Sequence, residues 1–405
     1  MDRSTHRAPF ILATIFIDAM GFGLVMPVLP GLLMHIGGLN LSQAINIGAW
    51  MGLAMALATF FAAPVIGNLS DRFGRRPMLL AALALLCADY LVMAAANSLI
   101  LLFVSRTLSG GFGGSFGAAQ AALADTTAPE DRARTFGFVS ASFGVGFVIG
   151  PAIGGLLGEL GDRAPFIAAA VLAGANFVYG LTMFPETLPP ERRRAFSWRR
   201  ANPLGAWQAA RAIPGMTGVM MVLVLWQIAS LVYPITWSFY AIAAFGWSPR
   251  MIGASLAVVG ITIALAQTFL TGPAVKRFGE RDAATIGLIG AASGFLIYAF
   301  ARSTLLAFVP MIAIAIQSFV QPSLMAMMSR RATAETQGEV QGIAAMTMGV
   351  GSIIAPMVLT QPLAWFTGAA APVYFPGAAF IVATVLALLA LVALRALPRV
   401  IPVAS

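Results

Sequence analysis

Apolar residues along this chain gather into long runs at 10–34, 47–69, 78–96, 99–123, 135–158 and 164–184, and again at 215–244, 251–273, 283–301, 304–328, 340–366 and 373–396. Short polar turns separate them. A helix needs about 20 mostly apolar residues to cross a bilayer, so each run predicts one span and the chain predicts twelve. Barrel strands would alternate polar and apolar positions, and these runs do not. The first run is too long for the apolar core of a signal peptide and carries Asp18, so it is expected to remain as a helix.

The pattern breaks once, over 185–214, where Pro185, Pro189, Pro190, Pro203 and Pro214 stand with Arg192, Arg193, Arg194, Arg199, Arg200 and Arg211. This stretch reads as a linker between two six-helix halves, 1–184 and 215–405. The halves align at a constant offset of 205: Gly67–Arg76 falls on Gly272–Arg281, Glu130 on Glu335, Gly137 on Gly342 and Pro151 on Pro356. Three separate regions at one offset indicate an internal repeat. Parallel six-helix repeats are a recurring transporter plan, with the substrate near mid-membrane where the repeats meet.

Composition agrees. The 405 residues are 59% hydrophobic and 10% charged, against about 25% charged in soluble domains, which excludes a soluble enzyme and a disordered chain alike. The net charge of +9 does not imply a nucleic-acid partner. Twenty of the 24 lysines and arginines fall in the termini and alternate connections, the opposite side holding Arg163, Arg250 and Arg302. Cytoplasmic loops carry that excess, so both termini are expected in the cytoplasm. The single cysteine, Cys87, excludes a disulfide framework and a thiolate metal cluster. No metal, no cofactor and no enzymatic activity are expected.

Three ionisable residues remain at membrane depth: Asp18, Asp89 and Arg106. Such groups are costly in a bilayer and persist on ion pathways and proton relays. A static ion pair locking two helices is the other use of such a set. The second half supplies no membrane charge. Its polar candidates are Gln227, Gln267, Gln317 and Gln321, beside Trp226, Trp237 and Phe319. These residues suit an amphipathic ligand, and glutamines equally bridge helices.

The motif Gly67-x-x-x-Asp71-Arg72-x-Gly74-Arg75-Arg76 lies in the turn between the second and third spans, where Gly67 allows close helix approach and Gly74 a tight turn. It resembles the signature loop of the major facilitator superfamily, which also carries a weaker second copy, here at 272–281. Leu102-Phe-Val-Ser-Arg106-x-x-x-Gly110-Gly111 resembles that family's membrane-arginine motif. Gly144-x-Gly146-x-x-x-Gly150-Pro151-x-x-Gly154-Gly155 resembles the motif of its antiporter branch; Gly146, Gly150 and Gly154 share one helix face, and Pro151 removes a backbone donor.

Within that family the chain is most similar to bacterial tetracycline/proton antiporters. The similarity rests on Asp18–Gly31 in the first helix, Ser70–Pro77 in the loop, Asp89-Tyr90 in the third helix and Ala124–Thr127 at the end of the fourth. Gly253–Leu256, Gln267 and Gln337-Gly338 add to it. Two departures stand out: Ile263 and Ala291 occupy the places of that group's eighth-helix histidine and ninth-helix acid.

The resemblance implies an all-α fold of twelve transmembrane helices in two bundles. It implies proton-coupled export of an amphipathic drug-like compound by a monomer in a bacterial inner membrane. Proton coupling would rest on Asp18, Asp89 and Arg106. A cytoplasmic gate would be formed by Gly67, Asp71, Arg72, Gly74, Arg75 and Asp125, with Asp71 set against the N-terminus of the eleventh helix. Proton-coupled or facilitated uptake of a small nutrient is the alternative on the same fold.

Overall fold

The computed structural model describes residues 7–112, 115–127, 131–198, 202, 205–333 and 336–398, so Glu130, Arg199, Arg200, Pro203 and Glu335 lie outside the described residues. The described residues are helical and loop throughout. The first half comprises α1 (Arg7–Val25), α2 (Leu29–Gly37), α3 (Leu41–Phe73), α4 (Arg75–Ala95), α5 (Leu99–Phe112), α6 (Ser115–Thr126), α7 (Arg132–Gly158) and α8 (Ala164–Met183). A short helix, α9 (Gly205–Ala212), lies in the linker. The second half comprises α10 (Met216–Ser230), α11 (Val232–Phe245), α12 (Pro249–Ala266), α13 (Gly272–Phe278), α14 (Glu280–Phe300), α15 (Thr304–Phe308), α16 (Met311–Gln317), α17 (Val320–Ser329), α18 (Gln337–Thr367) and α19 (Ala378–Ala396).

Among the described residues, eleven helices are long and apolar enough to cross a membrane, and Leu99–Gly111 is a shorter apolar helix within the fourth expected span. Several expected spans are interrupted. Pro27 and Pro30 withhold backbone donors, and the first run divides into α1 and α2 there. Pro234 sits just past the break between α10 and α11, and Pro310 and Pro322 flank breaks in the tenth run. Between α12 and α13 the helix widens into a π turn over Gln267–Thr271.

Two compact units result. One contains Met1–Pro203 with Trp237–Ile261 and Thr367–Ala371; the other contains Leu204–Thr236, Thr262–Phe366 and Pro372–Ser405. In the first, α1 packs along α7, α3 along α5 and α4 along α8. The glycine face of α7 sets the first contact. A Cβ on Gly150 would stand 2.5 Å from the Met20 carbonyl oxygen, and Gly146 and Gly154 meet the backbone of Phe16 and Leu24 as closely. Gly23 returns the fit, since its Cβ would stand 2.5 Å from Pro151 Cδ. Beyond them a Cβ on Gly155 would stand 2.5 Å from the Pro249 carbonyl oxygen at the start of α12. Helix α3 starts on a capping box: Asn40 accepts from the Gln43 N–H at 2.9 Å, and the Gln43 side chain accepts from the Asn40 N–H at 3.1 Å. The second unit is built on α14, which packs against α16, α17 and α19. An aromatic group of Tyr233, Phe295, Tyr298 and Phe380, with centroids 5.2–6.4 Å apart, fills its centre.

Candidate functional site

At membrane depth, α4 and α5 bring Asp89 and Arg106 together as an ion pair, and Ser105 also donates to the Asp89 carboxylate. Asp89 is only 6% exposed. A carboxylate buried this far is costly unless paired and hydrogen-bonded, and here both oxygens are engaged. Tyr90, the next residue, is buried, and the Arg106 guanidinium lies 6.0 Å from its ring centroid. Helix α1 joins through Gly21, where a Cβ would stand 2.7 Å from the tyrosine oxygen. Asp18 lies one turn before Gly21 on that helix, half-buried. Asp89 and Arg106 thus meet beside Tyr90, and Asp18 stands one helical turn from the glycine that faces the tyrosine.

At the end of α3 the loop builds a second cluster. Arg75 bonds Asp71 at 2.8 Å, Asp125 at 3.0 Å and Ser70 Oγ at 3.1 Å. Its guanidinium is the bridge between two carboxylates that would otherwise repel. Gly74 turns the chain from α3 into α4 with φ +106°, a conformation that disfavours a side chain. Arg72 is apart from this cluster, stacked over Phe73 at 5.1 Å. A Cβ on Gly67 would meet nothing within 4 Å among the described residues.

The family model that matches this chain is described as the Major Facilitator Superfamily, over residues 11–242 and 218–404. This chain belongs to that superfamily. Among its relatives, this facilitator is 43% identical to the tetracycline resistance protein, class C, of Escherichia coli, an alignment covering 91% of this chain and 95% of that one. It is 35% identical to the class G tetracycline resistance protein of Vibrio anguillarum, over 96% and 98% of the two chains. Its fold matches the crystal structure of the nucleoside transporter NupG with a TM-score of 0.78 at 13% identity, covering 98% of this chain and 99% of that one. It is a multi-pass membrane protein of a transporter family.

In the second half of this major facilitator the expected polar residues separate into two groups. Gln227 of α10 and Gln321 of α17 reach the same face of α18. A Cβ on Gly351 would stand 2.7 Å from Gln227 Cγ, and Gln321 Nε2 lies 3.0 Å from Met348 Sδ, one turn earlier. Trp226 is buried beside Gln227. Gln317, 7% exposed at the end of α16, keeps a buried Oε1 without a hydrogen-bond partner among the described residues. Gln267 stands apart, exposed in the π turn. Tyr90 in the first half and Glu186 at the start of the linker were not singled out as site residues. Tyr90 was legible as the neighbour of a membrane-depth carboxylate. Glu186 was not, because its partners are mostly backbone N–H groups, which leave no side-chain motif to read.

Proposed function

We propose that this facilitator is a bacterial drug exporter. It moves an amphipathic, tetracycline-like compound out of the cytoplasm in exchange for protons, as a monomer in the inner membrane. The halves 1–184 and 215–405 alternate the access of one site. The concentration of basic residues in the termini and alternate connections supports cytoplasmic termini. The substrate class rests on the relatives, tetracycline resistance proteins at 43% and 35% identity over nearly the whole chain.

The observation that carries proton coupling is the Asp89–Arg106–Ser105 cluster with Tyr90 and Asp18 beside it. Desolvation disfavours a charged carboxylate, and a nearby cation favours it. Proton binding therefore removes the negative charge that holds Arg106, and proton release restores it. Those are two states of one cluster, and a substrate with different affinity for them shifts the balance. Moving one proton down a potential of 100 mV supplies about 2.3 kcal/mol. At the loop, Asp71 is the gate charge, with Arg75 and Asp125 fixing its position.

The test is transport in inverted vesicles from a pump-deleted bacterial host, with tetracycline as probe beside a panel of amphipathic drugs. Acidifying the vesicle lumen is expected to drive uptake, and expression is expected to raise resistance of the host. Proton-driven movement of a small nutrient in the opposite sense, with no drug moved, would overturn export in favour of uptake.

A further inference from the structure

The start of the linker does not leave the first half freely. It is fastened along the 68–76 loop at three places. At its root both Glu186 oxygens accept from the first turn of α4: the Arg75 N–H donates to Oε1 at 2.9 Å and the Arg76 N–H to Oε2 at 3.2 Å. The same carboxylate accepts from its own turn, the N–H groups of Thr187 and Leu188 at 2.9 Å each, and lies 4.0 Å from the Arg193 guanidinium. Further on, the Arg194 N–H donates to the Asp71 carbonyl at 3.0 Å. Last, Asn68 Nδ2 donates to the Ser197 carbonyl at 2.9 Å, and the Ser197 N–H donates back to Asn68 Oδ1 at 3.4 Å. Asn68 is buried. Gly74 belongs to the arrangement as well, since a Cβ there would collide with Glu186 Oε2.

We infer that residues 186–197 form a strap that stays on the gate loop through the transport cycle, with Glu186 as a positioning residue for Arg75. The inference rests on the reading of Asp71 as gate charge. Arg75 can reach Asp71 and Asp125 together only while its backbone is held at the first turn of α4. Glu186 holds that backbone, and the negative carboxylate suits a helix N-terminus. The Asn68 and Asp71 contacts extend the hold along the loop. Linker and loop therefore move as one piece, and the linker reports every movement of the gate charge.

The test pairs a substitution with a cross-link, in protein whose only cysteine, Cys87, is replaced by alanine. Glu186→Ala is expected to lower the maximal rate of proton-driven tetracycline uptake by about tenfold, the scale of losing a helix cap, with KM unchanged. Glu186→Asp, which keeps the charge, is expected to recover part of that rate. Cysteines at Asn68 and Ser197, joined by a disulfide, are expected to leave transport as fast as in the reduced protein. In Glu186→Ala the same pair should cross-link more slowly. Full activity in Glu186→Ala, or a cross-linked protein that transports only after reductant is added, would overturn the strap. Asp71→Ala separates the two readings: if it transports normally while the cross-link and Glu186 results stand, the gate charge is misassigned and the strap remains.

Discussion

The two repeated loops keep one geometry and invert its charges. At the offset of 205, Asp71 becomes Lys276, Arg75 becomes Glu280 and Asp125 becomes Arg330, so all three signs reverse. The pair between the last two survives the reversal: Arg75 Nε lies 3.0 Å from Asp125, and Arg330 Nε lies 2.6 Å from Glu280. Both loops turn on a glycine with positive φ, Gly74 at 106° and Gly279 at 76°. In both an arginine beyond the turn, Arg76 or Arg281, donates to a carbonyl near the end of its own half's last helix, at 2.7 and 2.6 Å. Both stack an arginine on the neighbouring phenylalanine. What differs is the fastening. Arg75 and its counterpart Glu280 are about equally buried, with side chains 11% and 14% exposed, but Arg75 is embedded between two carboxylates, and Asp125 is 25% exposed where its counterpart Arg330 is 72% exposed. Burial has a cost beside the second loop too, where just past α17 it pushes the Arg331 guanidinium below its usual range, partly offset by Glu280. An opposite-charge pair of either polarity holds the turn in both loops, and the proposed gate charge, Asp71, stands beside the first pair.

At membrane depth the halves part further. Asp18, Asp89 and Arg106 correspond to Leu223, Gly294 and Met311. Leu223 is fully buried, and a Cβ on Gly294 would stand 2.9 Å from that of Ala313, so close packing replaces the ionic cluster. The helix that follows shows the reverse trade. Gly146, Gly150 and Gly154 of α7 correspond to Gly351, Ala355 and Leu359 of α18, and only the first half needs glycine throughout to admit α1.

These differences can be broken in order of expected effect. Arg106→Leu should be the most harmful, because an unpaired buried Asp89 costs about 3–5 kcal/mol, measured as thermal stability in detergent with loss of transport. Arg106→Lys should also fail to transport, since lysine lacks the planar fork. Leu223→Asp gives the second half the first half's charge without its partners. It should cost about 2.5–3.5 kcal/mol and show as reduced insertion. Gly150→Ala copies the second half's residue into α7 and should destabilise by about 1–3 kcal/mol through overpacking, while Ala355→Gly should cost less than about 1 kcal/mol through helix propensity. Reversing the second pair, of which Arg330 is the exposed partner, by Glu280→Arg with Arg330→Glu copies the first loop's polarity; it should change stability by no more than about 1 kcal/mol, and a transport assay should find the double variant near the wild-type rate.

Much of this was legible in the sequence. The apolar runs marked the spans because a bilayer admits few other structures, and the offset of 205 marked the repeat. Asp89 and Arg106 were readable because charge at depth is rare, and the glycine face of α7 because glycines one turn apart form a stripe. The breaks at Pro27 and Pro310 were less so, since proline is also accommodated unbroken, as Pro151 and Pro356 are inside α7 and α18. The sign inversion was present in the aligned residues, but only the Glu280–Arg330 distance makes it a pair. Glu186 and the strap depend on backbone donors, which every residue but proline has.

The proposed coupling rests on the carboxylates of the first half. In reconstituted vesicles with an imposed pH gradient, the double variant Asp18→Asn, Asp89→Asn keeps shape and hydrogen bonding but cannot ionise. It is expected to lose uphill accumulation of tetracycline while substrate binding, or exchange of substrate for substrate, persists in at least one of the single variants. Accumulation that continues in the double variant would contradict the account and move coupling to a loop carboxylate or away from protons altogether.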